Sequence, residues 1–270
     1  MKAGAMRSLG GVAPSMSPFL VRLFATYSRG YLRRRFHSIR ILKTGLPPSL
    51  ESRPLVIYLN HASWWDPLVC LRLAQSQFGQ RTSYAPIDAR ALARYRFFSK
   101  LGFYGVEQQS ARGTRSFLHT TSAILESPWN AVWLTPQGRF MDVRERPLRL
   151  QRGLGALAAQ AENATFLPLA IEYAFWTEPR AEILVSFGGP TIPETEPGRS
   201  ASEWTQHFSE ALEATQDELA ARSCRRNPEE WLVLDRSASS VNAAYDLCRW
   251  AGARMKGESF TREHQPEQPG

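Results

Sequence analysis

The chain is poor in cysteine. Cys70, Cys224 and Cys248 are odd in number, widely spaced, and form no C-x-x-C pair. That argues against a disulfide framework and a zinc site, and for a reducing compartment. Several catalytic signatures are missing as well. There is no G-x-S-x-G elbow, no P-loop and no H-E-x-x-H, and "RGLGALA" lacks the glycine spacing of a dinucleotide fingerprint. A serine hydrolase of the α/β type is therefore not indicated. Long apolar runs are absent too. Phe19–Tyr27, which comes nearest to a span, is broken by Arg22 and falls far short of the ~20 residues that cross a bilayer. Residues 1–17 are rich in Gly, Ala, Ser and Met without the apolar block of a secretory signal, so they read as a flexible leader.

The most informative absence is of acid. Residues 1–50 hold nine basic side chains (Lys2, Arg7, Arg22, Arg29, Arg33, Arg34, Arg35, Arg40, Lys43) and no Asp or Glu. Of the 33 basic and 25 acidic residues in the chain, 24 and 25 remain for the other 220 positions. The body is neutral and the N-terminal arm cationic, a balance suited to an anionic membrane surface or to nucleic acid. Within the arm, Leu20, Phe24, Tyr27 and Tyr31 recur at helical intervals, and Leu32, Phe36 and Ile39 extend the stripe with drift. Arg22, Arg29, Arg33 and Arg40 lie mostly off it. A basic helix with an aromatic stripe fits the headgroup region of a bilayer, and nucleic acid is not the expected partner. The competing reading is that the stripe packs on the protein's own core.

At 270 residues and 43% hydrophobic, the chain can bury a substantial core, and its 21% charged content is ordinary for a globular protein. After a turn-rich entry at Thr44–Pro54, strands and helices alternate. Strands are expected at Leu55–Leu59, Thr82–Ile87, Phe103–Val106, Ala131–Thr135, Thr165–Tyr173 and Glu182–Phe187. Helices are expected at Pro67–Ala74, Ala89–Leu101, around Ser116–Leu125, and at Gly153–Ala161. This predicts an α/β fold: a mixed, largely parallel sheet flanked by helices. Ser202–Arg222 and Val241–Met255 read as a helical C-terminal extension. The expected organisation is a leader and basic arm over 1–43, a core over 44–200, a helical extension over 201–256 and a mobile tail over 257–270. No internal repeat is visible.

One stretch carries chemistry. "LVIYLNHASWWDPL" (Leu55–Leu68) runs a short apolar strand into Asn60-His61, with Asp66 five positions after the histidine. A neutral imidazole can take a proton from a hydroxyl as that oxygen attacks a carbonyl, and a carboxylate on the far ring nitrogen fixes its tautomer and orientation. Taken alone the pair is a weak pattern, because Asp66 before Pro67 equally fits the start of a helix. Trp64 and Trp65 would either line an acyl channel or anchor the corner as core.

Further segments add to it. The stretch resembles the NH-x4-D motif of the glycerolipid acyltransferase superfamily, typified by bacterial 1-acyl-glycerol-3-phosphate acyltransferases. "LGFYGVEQQSARG" (Leu101–Gly113), "WLTPQGRF" (Trp133–Phe140) and "FLPLAIEY" (Phe166–Tyr173) resemble its second, third and fourth blocks, and "LQRGLGALA" resembles the helix start after block three. The likeness covers about residues 50–190. It implies an O-acyltransferase on a cytoplasmic membrane face, moving a fatty acyl group from acyl-CoA or acyl carrier protein to a lipid hydroxyl, with no metal or other cofactor. His61 would be the general base and Asp66 its orienter. Asn60, Trp65, Arg112, Gln137, Gly138, Arg139, Arg152 and Pro168 would serve substrate binding. Two departures bear on the acceptor: Gln108 follows Val106-Glu107 where the family commonly has Arg, and Gln137 stands where it has Glu, with Arg139 one place early. A neutral amide cannot replace a charge on a phosphate-bearing acceptor, so the acceptor stays open. Two alternatives remain: an acyl-thioester hydrolase, or a non-catalytic membrane-binding homologue.

Overall fold

The computed structural model describes residues 13–48, 50, 53–107, 110–237 and 254–255. Helix α1 (Pro18–Arg35) starts with Ser17 as N-cap and proline at its first position, and ends on Arg33, Arg34 and Arg35, cations favoured at a helix C-terminus. Strands β1 (Ser38–Leu42) and β2 (Leu55–Leu59) follow, then α2 (Asp66–Gln77), β3 (Thr82–Asp88), α3 (Ala89–Arg94) and a 3-10 segment (Arg96–Leu101). Next come β4 (Phe103–Val106), α4 (Ala111–Ile124), β5 (Asn130–Leu134), α5 (Gly153–Ala158), β6 (Thr165–Ala174), β7 (Glu182–Phe187), α6 (Ala201–Arg225) and β8 (Trp231–Arg236). Among the described residues no helix is long and apolar enough to cross a membrane.

The eight strands form one sheet in the order β4-β3-β5-β2-β6-β7-β1-β8. Pairing is parallel except between β6 and β7 and between β1 and β8. The expected α/β architecture is therefore what the chain adopts. Central strands are buried on both faces, and their side chains alternate between two cores with period two. Leu55, Ile57 and Leu59 of β2, with Leu167, Leu169 and Ile171 of β6, join the core beneath α1 and α2. Val56 and Tyr58 of β2, with Phe166 of β6, join the core that α5 and α6 cover through Leu154, Leu157, Phe208 and Leu212. Helix α6 is started by a capping box in which the Ser200 hydroxyl and the Glu203 carboxylate each take the other's backbone N–H.

Three elements differ from the sequence expectation. Ile39, counted with the helical stripe, lies in β1, because the chain turns extended at Phe36 and all five residues of β1 are buried between β7 and β8. The helix expected over Ala89–Leu101 breaks at Tyr95, and its second half tightens to a 3-10 turn. There Phe98 packs against Phe97 and Phe103 while Tyr95 and Phe97 stay exposed. Beyond α6 the chain adds a strand, β8, whose antiparallel pairing with β1 gives the sheet its edge. The helix expected over Val241–Met255 lies almost wholly outside the described residues, as does the C-terminal tail.

Helix α1 is divided between the two readings of its stripe. Leu32 is buried, and Phe24 and Tyr31 pack against the same core. Phe19 and Tyr27 are 72% and 64% exposed, and Leu20 and Leu23 are exposed beside them. The C-terminal half of the helix belongs to the fold, and the first turns present apolar surface to solvent.

Candidate active site

The site sits where the parallel strand β2 ends, between β5 and β6. From β2 the chain runs out to β3 and β4, returns at β5, and crosses to the other side at β6. Crevices at such a reversal, beyond the carboxyl ends of the strands, are where open α/β sheets bind ligands. Asn60, the first residue past β2, is buried and extends the pairing by its side chain. Its Nδ2 donates to the Ile171 carbonyl at 2.9 Å and its Oδ1 accepts from the Ile171 N–H at 2.9 Å. Asn60 thus anchors the strand end to β6 and fixes where His61 begins.

His61 is held from three directions. Its backbone N–H donates to Gln137 Oε1 at 2.6 Å, and its carbonyl accepts from the Met141 N–H at 2.9 Å. Its ring nitrogen Nδ1 lies 2.8 Å from Asp66 Oδ2. Asp66 is the first residue of α2 and makes no capping bond to its own helix. Instead the same Oδ2 accepts from the Ser63 N–H at 3.0 Å, and Oδ1 accepts from the Tyr173 hydroxyl at 2.6 Å. Because the carboxylate is otherwise surrounded by donors, the imidazole completes the set by donating from Nδ1, which leaves Nε2 with a lone pair. The Asp66 side chain is 1% exposed and that of His61 19% exposed, so the accessible edge of the ring is the one away from the carboxylate. Phe140 packs on it with ring centres 4.3 Å apart.

The loop after β5 brings Gln137 and Gly138 to this point. Gly138 has φ +70°, its N–H bonds the Thr135 carbonyl at 3.0 Å, and the Gln151 N–H bonds the Pro136 carbonyl at 2.8 Å. A Cβ on Gly138 would run into the Gln151 amide. Gly138→Ala is therefore expected to cost about 1–2 kcal/mol in left-handed strain alone, to push the Gln137 side chain off the His61 N–H, and to lower turnover more than it lowers thermal stability. Turnover and melting temperature measured on the same preparation check this.

The remaining sequence-predicted residues fall differently. Trp65 packs among Tyr31, Phe36 and Trp64 as part of the aromatic floor beneath the dyad. Pro168 is buried in β6, level with Tyr58 of β2, and its carbonyl accepts from the Gly188 N–H at 3.0 Å. Arg139 is exposed and 3.8 Å from Glu145. In the same loop Arg144 is engaged twice by Asp142, which holds that carboxyl well below its usual range, and Arg146 pairs with Asp217. Arg112 and Arg152 are exposed at the starts of α4 and α5. The structure thus brings together Asn60, His61, Asp66, Gln137 and Gly138, and leaves the arginines at the surface.

Ser63, Phe140 and Tyr173 also touch the dyad, and none was singled out from the sequence. Only Tyr173 had a signal: with Leu169 and Ile171 it keeps the period-two face of β6 that looks toward α2. Cys70, one turn along α2 from Asp66, is buried, and burial and then the adjacent Asp66 charge push its thiol well above its ordinary range, which disfavours the reactive thiolate. Among the described residues no three His, Cys, Asp or Glu side chains gather to hold a metal ion.

A buried carboxylate behind a partly exposed imidazole can serve as a general base, and among the described residues no serine or cysteine side chain is hydrogen-bonded to the ring. A family model described as Acyltransferase matches residues 35–172, just over half of the chain. No curated protein matches. The match spans the His–Asp pair, the Gln137–Gly138 loop and β6 up to Glu172, and by it the chain belongs to the Acyltransferase family of the glycerolipid acyltransferase superfamily.

Proposed function

We propose that the protein transfers a fatty acyl group from an acyl-CoA or acyl carrier protein thioester to the hydroxyl of a lysophospholipid-like or other glycerolipid acceptor at a membrane surface. The observation that carries this is the His61–Asp66 pair with its outer edge open. His61 Nε2 takes the proton of the acceptor O–H as that oxygen bonds to the thioester carbonyl carbon. The tetrahedral intermediate then breaks its C–S bond, and the imidazolium returns the proton to the departing sulfur. No external proton or redox partner is consumed. A thioester is already activated, so alignment plus one base supplies much of the rate.

The deciding experiment gives purified protein acyl-CoA with and without a panel of lipid hydroxyls and follows acylated lipid and free fatty acid. Acylated lipid that requires both acceptor and His61 supports transfer. Fatty acid released without acceptor makes the protein a thioester hydrolase, and full cellular function after His61→Ala makes it a non-catalytic homologue. Acyl carrier protein replacing CoA in the same assay identifies the donor. The exposed Arg112 and Arg152, with Arg139 whose contact to Glu145 is long at 3.8 Å, are cations that could meet a phosphate on either substrate, whereas Arg144 and Arg146 have closer carboxylate partners.

The membrane is met, in this reading, by the first turns of α1 together with the 3-10 segment. The Ser17 N–H bonds the Lys100 carbonyl at 2.9 Å, so exposed Phe19, Leu20, Leu23, Tyr95 and Phe97 lie on two elements that touch. Both elements are basic and without acid: Arg22 on one, Arg96 and Lys100 on the other. Leu32 and β1 are core, so the surface is tested by point substitution. Arg22→Gln is expected to weaken binding to phosphatidylglycerol-containing vesicles about fivefold, the effect of ~1 kcal/mol per cation near an anionic leaflet, with less effect at high salt. Unchanged partition between vesicles and buffer would reject the platform.

A further inference from the structure

The Asp66 carboxylate has one partner more than orienting an imidazole needs. Oδ2 serves His61 Nδ1 and the Ser63 N–H, while Oδ1 is occupied by the Tyr173 hydroxyl at 2.6 Å. That phenol comes from β6, two residues past Ile171, whose backbone clamps the Asn60 side chain. One strand therefore fixes both the residue before His61 and the carboxylate behind it. The Tyr173 ring is itself held, its centre 5.6 Å from Phe36, which lies edge-on to Trp65 at 5.0 Å.

We propose that Tyr173 is a positioning residue for acyl transfer: by donating its hydroxyl to Asp66 Oδ1 it locks the carboxylate's rotation and takes up part of its charge, so that His61 stays aimed. The inference rests on the general-base reading of His61. Without Tyr173 the carboxylate would be held through Oδ2 alone, by the Ser63 N–H and by the imidazole it is meant to orient. Its charge, shared among fewer donors, would also draw more strongly on the imidazole proton. Tyr173 serves Asp66 as a protonated donor, because burial and then the Asp66 charge push its phenol far above the ordinary tyrosine range. The other ionisable groups facing this cluster are His61 and Cys70, and the Cys70 thiol is likewise pushed up. Just past helix α1, Phe36 faces the Tyr173 ring, and Tyr31 of the helix lies across Trp65.

The test is Tyr173→Phe in the full chain, with kcat, KM and the pH–rate profile measured on acyl-CoA and acceptor. Turnover is expected to fall about tenfold, the effect of a hydrogen bond to a charged acceptor, with KM nearly unchanged. The acid limb should move to higher pH, because the less-neutralised carboxylate stabilises the imidazolium. A purely structural role would leave that limb in place. Replacing Tyr173 with 2,3-difluorotyrosine, which keeps shape and strengthens the donor, should move the limb the other way, and it covers the case where the phenylalanine variant does not fold. In an Asp66→Asn background Tyr173→Phe should lose most of its effect. A limb unmoved by both replacements, or an equal loss in the Asp66→Asn background, overturns the proposal while leaving a His61-dependent transfer intact. Activity that survives His61→Ala removes the reading beneath it instead.

Discussion

Replacing His61 by alanine is expected to lower acyl transfer about a thousandfold, the contribution typical of a well-placed general base, while leaving the fold intact. The side chain makes one strong hydrogen bond, to Asp66, and its loss leaves Oδ2 still served by the Ser63 N–H and Oδ1 by Tyr173. The backbone clamps to Gln137 and Met141 do not involve the ring. Asp66→Asn separates the two duties of the carboxylate. An asparagine can place its oxygen where Oδ2 lies, still accepting from His61 and Ser63, while its NH2 replaces the oxygen that accepted from Tyr173. Tautomer and aim survive, and the charge that stabilises the imidazolium is lost. A drop of about a hundredfold, with the acid limb of the pH–rate profile moved to lower pH, is the expected result. If Asp66→Asn is as damaging as His61→Ala, the carboxylate's charge is as essential as the base itself. If neither variant loses more than a few-fold, the imidazole is not the base. Steady-state rates with melting curves on the same samples decide between these outcomes.

How much of this was legible beforehand depended on whether the signal was local. The His61–Asp66 contact is local: five residues, a strand end and a proline-marked helix start are enough to place the two side chains on one corner. Central strands such as Leu55–Leu59 and Glu182–Phe187 were legible for a similar reason, being short apolar runs. Tyr173 was not, because its role follows from the register Leu59↔Leu169 between strands over a hundred residues apart. Nor was the purpose of Gln137. Read as a lost charge in an acceptor site, the side chain turns out to accept the His61 N–H, a backbone duty that an amide performs as well as a carboxylate. Strand β1 was hidden by composition, since Arg40 made it look like more of the basic arm.

That arginine carries the second large effect expected. Glu182→Ala should destabilise the protein by about 3–5 kcal/mol, the cost of leaving one member of a buried ion pair alone, and lower its melting temperature by about 10 °C. Glu182 of β7 lies opposite Ser38 and diagonal to Arg40 on parallel β1. Its Oε2 accepts from Arg40 Nε at 3.1 Å and from the Ser38 hydroxyl, and its Oε1 lies 3.4 Å from Arg40 Nη2. Both charged side chains are over nine-tenths buried, and the Trp176 ring 5.1 Å from the guanidinium is the other compensation Arg40 retains. Replacing both partners, Glu182→Leu with Arg40→Met, should restore stability to within about 1 kcal/mol, because apolar side chains of similar size carry no desolvation penalty in that position. The turnover of folded enzyme should change little in both variants, since neither Arg40 nor Glu182 bonds the His61–Asp66 pair. Denaturant unfolding measures the difference. A single-variant loss below 1 kcal/mol would mean that water reaches Arg40 and that β1 is held to β7 by its backbone ladder and apolar neighbours alone.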